Sequence, residues 1–160
     1  PRRWQQPDVR INAWAGLMSL GDRLVFADDD GRLWVLYPEG DQSVVVGHWP
    51  EGIVGMAATP DGGYVVGSHE GLFALDMSGG KSWALDQEAV ACPPVVTKHL
   101  VLAGTTGGSL LIVDRRTGAL DKYPVGSGAV RGIAVSGASV LAVTGEGDLA
   151  AYDLPLDGEG

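Results

Sequence analysis

Gly108-Ser-Leu-Leu-Ile-Val-Asp114 is one of four copies of a short phrase, and its recurrence decides the fold. The other copies are Gly31-Arg-Leu-Trp-Val-Leu-Tyr37, Gly71-Leu-Phe-Ala-Leu-Asp76 and Gly147-Asp-Leu-Ala-Ala-Tyr-Asp153. Their leucines, Leu33, Leu72, Leu110 and Leu149, lie 39, 38 and 39 residues apart. A period of about 40 built from strand-like segments marks an all-β chain of the propeller type, one four-stranded antiparallel sheet, or blade, per repeat.

The residues around Leu110 supply the rest of a blade. Val101-Leu-Ala-Gly104 reads as a short apolar strand and Thr105-Thr-Gly-Gly108 as a turn. Arg115-Arg-Thr-Gly118 reads as a second turn, and Ala119-Leu-Asp-Lys-Tyr123 as a further strand. Leu24-Val-Phe-Ala27, Tyr64-Val-Val-Gly67 and Val140-Leu-Ala-Val143 superpose on the first of these strands. An innermost strand is expected ahead of each, at Ala15–Met18, Val54–Ala57, Pro94–Val96 and Gly132–Val135. Lettered A to D from centre to rim, the strands divide one domain, 1–160, into repeats of about 13–50, 51–88, 89–127 and 128–160. B and C are the most apolar, as expected for middle strands covered on both faces.

The fourth repeat runs out at Gly160 before any strand D, while Arg2-Arg-Trp-Gln-Gln6 aligns with the D strand Lys81-Ser-Trp-Ala-Leu85, Trp4 over Trp83. Residues 2–6 are therefore expected to complete the last blade and remove its open edge. Three assemblies fit: a closed four-bladed ring, half of an eight-bladed ring finished by a second copy or by the rest of a longer chain, or a piece cut in phase with the repeat. A four-bladed ring must tilt its sheets steeply, so the larger ring is favoured.

Composition narrows the function classes. The formal net charge of −9 opposes general nucleic-acid binding, which needs a basic surface, and docking on anionic membranes. No apolar run reaches the roughly 20 residues that cross a bilayer. No signal-peptide pattern is visible, an absence without weight in a sequence that opens at Pro1. Cys92 is the sole cysteine, which excludes an internal disulfide. Nothing fixes a compartment; the cytoplasm is the default expectation.

The phrase Gly-x-Leu-x-x-x-Asp-x-x-x-Gly resembles the repeat of PQQ-type β-propellers. Gly71-Leu-Phe-Ala-Leu-Asp-Met-Ser-Gly-Gly-Lys-Ser-Trp83 carries the likeness best, followed by Gly108-Ser-Leu-Leu-Ile-Val-Asp-Arg-Arg-Thr-Gly118. The resemblance implies that the Asp and Thr-Gly shape the turn leaving strand C and that the late Trp docks one blade on the next. Tyr37 replaces the Asp in the first repeat, and Thr59-Pro-Asp-Gly-Gly63 looks like the A-to-B turn of other propeller families. Such blades serve quinone enzymes, assembly lipoproteins and sensor domains of bacterial signalling proteins, so the likeness speaks to fold more than to function.

No reactive constellation stands out. No residue set matches the calcium and quinone ligands of the enzymes, and Cys92 precedes Pro93 rather than a second cysteine. Asp28-Asp-Asp-Gly31 offers carboxylates to a hard cation, but the spacing is that of a hairpin turn. His48 and His69 are expected on one face of the disc and His99 on the other, which forbids a common ion. No cofactor, metal or catalytic residue is therefore expected. The B-to-C turns and D-to-A links should gather Asp8, Asp28, Asp29, Asp30, His48, Trp49, Glu51, His69, Glu70, Glu88 and Glu146 on one acidic face. Lys81, Lys98, His99, Arg115 and Arg116 should mark the opposite face, diluted by Asp22, Glu39, Asp41 and Asp61. The leading expectation is a non-catalytic module binding a basic protein partner, a scaffold or sensor segment of a larger bacterial protein. Among the acidic-face residues, Asp28, Asp29, Asp30, His48, Trp49, Glu51, His69, Glu70 and Glu146 are the candidate contacts. The alternatives are a propeller enzyme or ligand-binding protein whose site needs further blades, and carbohydrate binding through Trp34 and Trp49.

Overall fold

A computed structural model describes residues 9–37 and 42–155. Those residues form four antiparallel sheets, each a meander in chain order. The first holds β1 (Leu17–Leu20), β2 (Arg23–Ala27), β3 (Arg32–Tyr37) and β4 (Gln42–His48). The second holds β5 (Ile53–Ala58), β6 (Tyr64–Ser68), β7 (Gly71–Leu75) and β8 (Lys81–Leu85). The third holds β9 (Val95–Val96), β10 (Leu100–Gly104), β11 (Ser109–Asp114) and β12 (Leu120–Pro124). The fourth holds β13 (Val130–Ser136), β14 (Ser139–Thr144) and β15 (Leu149–Asp153). The D strand expected at residues 2–6, with Trp4, lies outside the described residues.

Both faces of a middle strand are apolar because both are covered. Every residue of β6 and β7 is buried. Each sheet has a leading face, toward the preceding sheet, and a trailing face, toward the next. The trailing Val25, Leu33 and Val35 meet the leading Tyr64, Val66, Phe73 and Leu75 in one core. Val65 and Leu72 meet Val101, Leu111 and Val113 in a second, and Leu102, Leu110 and Ile112 meet Val130, Val140 and Ala142 in a third. Among the described residues no such core joins the fourth sheet to the first.

Two innermost strands depart from expectation. The segment Ala15–Met18 was expected to be extended, but β1 begins at Leu17. The Asn12 side-chain oxygen accepts the backbone N–H groups of Trp14 and Ala15 (3.1 and 3.3 Å), and this turn delays the strand. Pro94 has no N–H to offer the ladder, so β9 shrinks to Val95–Val96.

The B-to-C turns share a device that the sequence alignment left unnoticed. Asp28, Ser68, Thr105 and Thr144 open these turns and are the buried polar residues of the described structure. Asp28 Oδ1 accepts the N–H groups of Asp30 (3.0 Å) and Arg32 (2.9 Å). Ser68 Oγ accepts those of Glu70 (3.0 Å) and Gly71 (3.2 Å). Thr105 Oγ1 accepts Ser109 N–H, and Thr144 Oγ1 accepts Asp148 N–H. Each oxygen satisfies donors that the turn would otherwise bury unpaired. At the other end of the sheets, Asp76 and Asp114 do the same for the C-to-D turns. Asp76 accepts from Ser78 and Gly80, and Asp114 from Arg116 and Thr117. Trp83 Nε1–H donates to the Arg115 carbonyl (2.8 Å), tying β8 to the C-to-D turn of the third sheet.

Candidate functional site

The D-to-A links and B-to-C turns do share one face, because they are hydrogen-bonded to each other. Trp49 N–H donates to the Gly31 carbonyl, and His69 N–H donates to the Gly52 carbonyl. The link 49–52 is thereby stitched to the turns of the first and second sheets. The link 86–89 repeats the pattern: Val90 N–H reaches Ser68 O, and Thr106 N–H reaches Ala89 O.

Five of the candidate residues line a single groove of about 700 Å³ between the first and second sheets: His48, Trp49, Glu51, His69 and Glu70. Phe73, Asp86 and Gln87 also line it. Glu51 N–H donates to Glu70 Oε1 (3.1 Å), which fixes one carboxylate at the rim. His48 Nε2 lies 3.0 Å from the Asp30 carbonyl oxygen. Lys81 was expected among the cations of the opposite face. Its long stem instead reaches into this groove, with Nζ 5.0 Å from the Phe73 ring centre and 5.8 Å from that of Trp49. Three carboxylates, Glu51, Glu70 and Asp86, and one ammonium thus line the groove, which keeps an acidic balance.

Two candidates belong inside. Trp49 is 2% exposed and packs against Phe73 at 5.4 Å in the core between the first two sheets. It presents no stacking surface, which removes one of the two platforms of the carbohydrate reading. Trp34 is half-buried, stacked on Phe26 with its Nε1–H bonded to Asp28 Oδ2 (2.8 Å). Asp28 is 4% exposed, and its oxygens are taken by Trp34, by two backbone amides and by Arg32 Nε at 3.3 Å. It organises its turn and offers nothing outward.

The remaining candidates are dispersed. Asp29 and Asp30 are exposed on the first sheet, where Asp30 pairs with Arg32. Glu146 lies two sheets from the groove, in the turn beside Gly128. Glu88, also expected on this face, is paired with Lys122 at 2.8 Å. Among the described residues no three His, Cys, Asp or Glu side chains converge to hold a metal ion. On the opposite face Arg115 pairs with Asp61 at 2.7 Å, bridging the second and third sheets. A hydrogen bond from Thr59, with help from Arg115, holds the Asp61 carboxyl below its usual range.

No protein-family model and no curated protein matches the chain. Solved structures do. The computationally designed Ika8 protein superposes with a TM-score of 0.78 at 16% identity, over 88% of this chain and 45% of its own. The designed Ika4 protein gives 0.76 at 16% identity, over 95% of this chain and 100% of its own. BamB from Moraxella catarrhalis gives 0.69 at 20% identity, over 87% and 46%. The chain therefore spans less than half of Ika8 and BamB and the full length of Ika4. At these identities the likeness is one of fold, and the fold is a β-propeller.

Proposed function

We infer that this propeller segment, built from PQQ-like repeats, is a non-catalytic module that holds a basic stretch of a partner protein in the groove between its first two sheets. It would serve as a scaffold or sensor segment of a larger bacterial protein. The observation that supports this reading is the convergence of Glu51, Glu70 and Asp86 on one groove carried by rigid sheets. Carboxylates around a concave floor steer a cationic segment and raise its association rate more than its final affinity. Asp29, exposed on the neighbouring turn, extends the field.

The test uses surface-immobilised protein and two peptide panels, one rich in Lys and Arg, the other in Asp and Glu. Basic peptides are expected to associate, with a rate that falls as salt rises. Asp29→Lys combined with Glu70→Gln is expected to slow association severalfold; the glutamine oxygen can still accept the Glu51 N–H. An unchanged association rate, or equal binding of acidic peptides, would remove the reading.

A further inference from the structure

The trailing face of the fourth sheet is built like the three faces that carry the joints between sheets. The strand registers align Val25, Val65 and Leu102 with Leu141, and Ala27, Gly67 and Gly104 with Val143. They align Leu33, Leu72 and Leu110 with Leu149. The first three leucines are 0% exposed, and Leu149 is 67% exposed.

The first sheet shows a matching deficit at the innermost end of its leading edge, although farther out on that face Phe26 and Leu36 are already buried, at 4% and 0% exposure. Ile11 is bridged to Asp28 in the register that pairs Ile53 with Ser68, Val90 with Thr105 and Val130 with Thr144. Ile53, Val90 and Val130 plug the joints at 3%, 0% and 0% exposure; Ile11 is 53% exposed. Val90 fills the space that a Cβ on Gly67 would need, and Val130 the space that one on Gly104 would need. The third and fourth sheets thus each bed their first residue on a glycine of the sheet before. Trp14 and Leu17, 92% and 65% exposed, follow Ile11 in the chain. Among the described residues Trp14, Leu149 and Leu17 are the three most exposed large hydrophobics, and all three lie at the two ends of the row.

We propose that the leading edge of a second copy of this chain covers the trailing face of the fourth sheet, and the reverse, so that two copies close one eight-sheet ring. The chain carries both halves of the joint, and the halves are the repeat equivalents of joints it already makes three times. A head-to-tail contact of this kind closes when its rotation completes a circle. Four sheets that superpose on slightly under half of Ika8 and of BamB leave room for a second four. Val143 is fuller than Ala27, Gly67 or Gly104, so the joint between copies is looser than those within the chain and opens on dilution.

Sedimentation equilibrium of the 160-residue chain tests this. The expected mass is twice 16.6 kDa at high concentration, falling toward 16.6 kDa on dilution. Leu149→Asp and Ile11→Asp are each expected to hold the mass at 16.6 kDa with unchanged circular dichroism, because both side chains are exposed in the single chain. An equimolar mixture of the two variants should partly regain the pair, since one of its two joints is intact. Val143→Ala restores the small residue that Ala27 supplies at this register position and should tighten the pair. A wild-type mass fixed at 16.6 kDa overturns the proposal, as does a pair that survives Leu149→Asp or a mixture that stays apart.

Discussion

The third and fourth sheets are built from the same phrase and differ in what lies beside them. Leu110 and Leu149 hold the same register position, one sealed and the other largely bare. Thr105 and Thr144 cap the same turn with the same oxygen. Gly108 and Gly147 both adopt positive φ, at 80° and 94°. A Cβ on Gly108 would collide with the Gly126 carbonyl oxygen of the adjoining link, whereas one on Gly147 would meet nothing within 4 Å. Strand and turn are therefore properties of the repeat, while burial is a property of its place in the row. Repeat architectures divide their stability in this way, into terms within units and terms between them.

The sharpest way to break that contrast is to truncate the two leucines. Leu110→Ala empties part of a sealed core and should cost about 3 kcal/mol. Leu149→Ala, measured dilute enough that the chain is single, should stay within roughly 0.5 kcal/mol. Equal shifts in urea midpoint would mean that the two sheets do not differ as described. The glycines come next. Gly147→Ala carries only the left-handed backbone strain, about 1 kcal/mol. Gly108→Ala adds the displacement of a link and should lower the melting temperature clearly further; equal melting temperatures would contradict the crowding at Gly108.

The smallest effect is acid sensitivity at the C-to-D turns of the second and third sheets. The Thr117 hydroxyl and nearby amides hold the Asp114 carboxyl below its ordinary 3.8, and Ser78 and Gly80 do the same for Asp76. A carboxyl that titrates lower when folded than unfolded stabilises fully above the unfolded value. That contribution is lost as pH falls through the lower folded value. The urea midpoint should therefore decline below pH 3.8, modestly because both groups are exposed, and Asp114→Asn should flatten the decline. A wild-type midpoint independent of pH in that range would count against this role.

The strands were legible because their signal is local. Leu110-Leu-Ile-Val113 between two turns admits few other readings, and β11 lies where the phrase placed it. The innermost strands were harder. Ile11, Ile53, Val90 and Val130 are single apolar residues separated from the rest of strand A by turns or bulges, so no run announced them. The groove was half visible: the topology put His48, Glu51, His69 and Glu70 on one face. Nothing in the sequence told that Lys81 would bend into it or that Trp49 would sink beneath it. Asp28 misled for a similar reason. Three consecutive aspartates read alike, and only the folded turn turns the first inward while the other two stay exposed. The bareness of Leu149 was illegible in principle, since its own strand has the same grammar as its buried counterparts.

Cys92 turns one of these joints into something that can be timed. Its sulfur is buried in the core between the third and fourth sheets, about 3.0 Å from where a Cβ on Gly104 would sit. Burial raises the thiol pKa, so the closed form resists alkylation twice over, by access and by scarcity of thiolate. As the chain's sole cysteine, it gives a maleimide one place to react, and the labelling rate becomes a clock for the moments when the terminal sheet swings away from its neighbour.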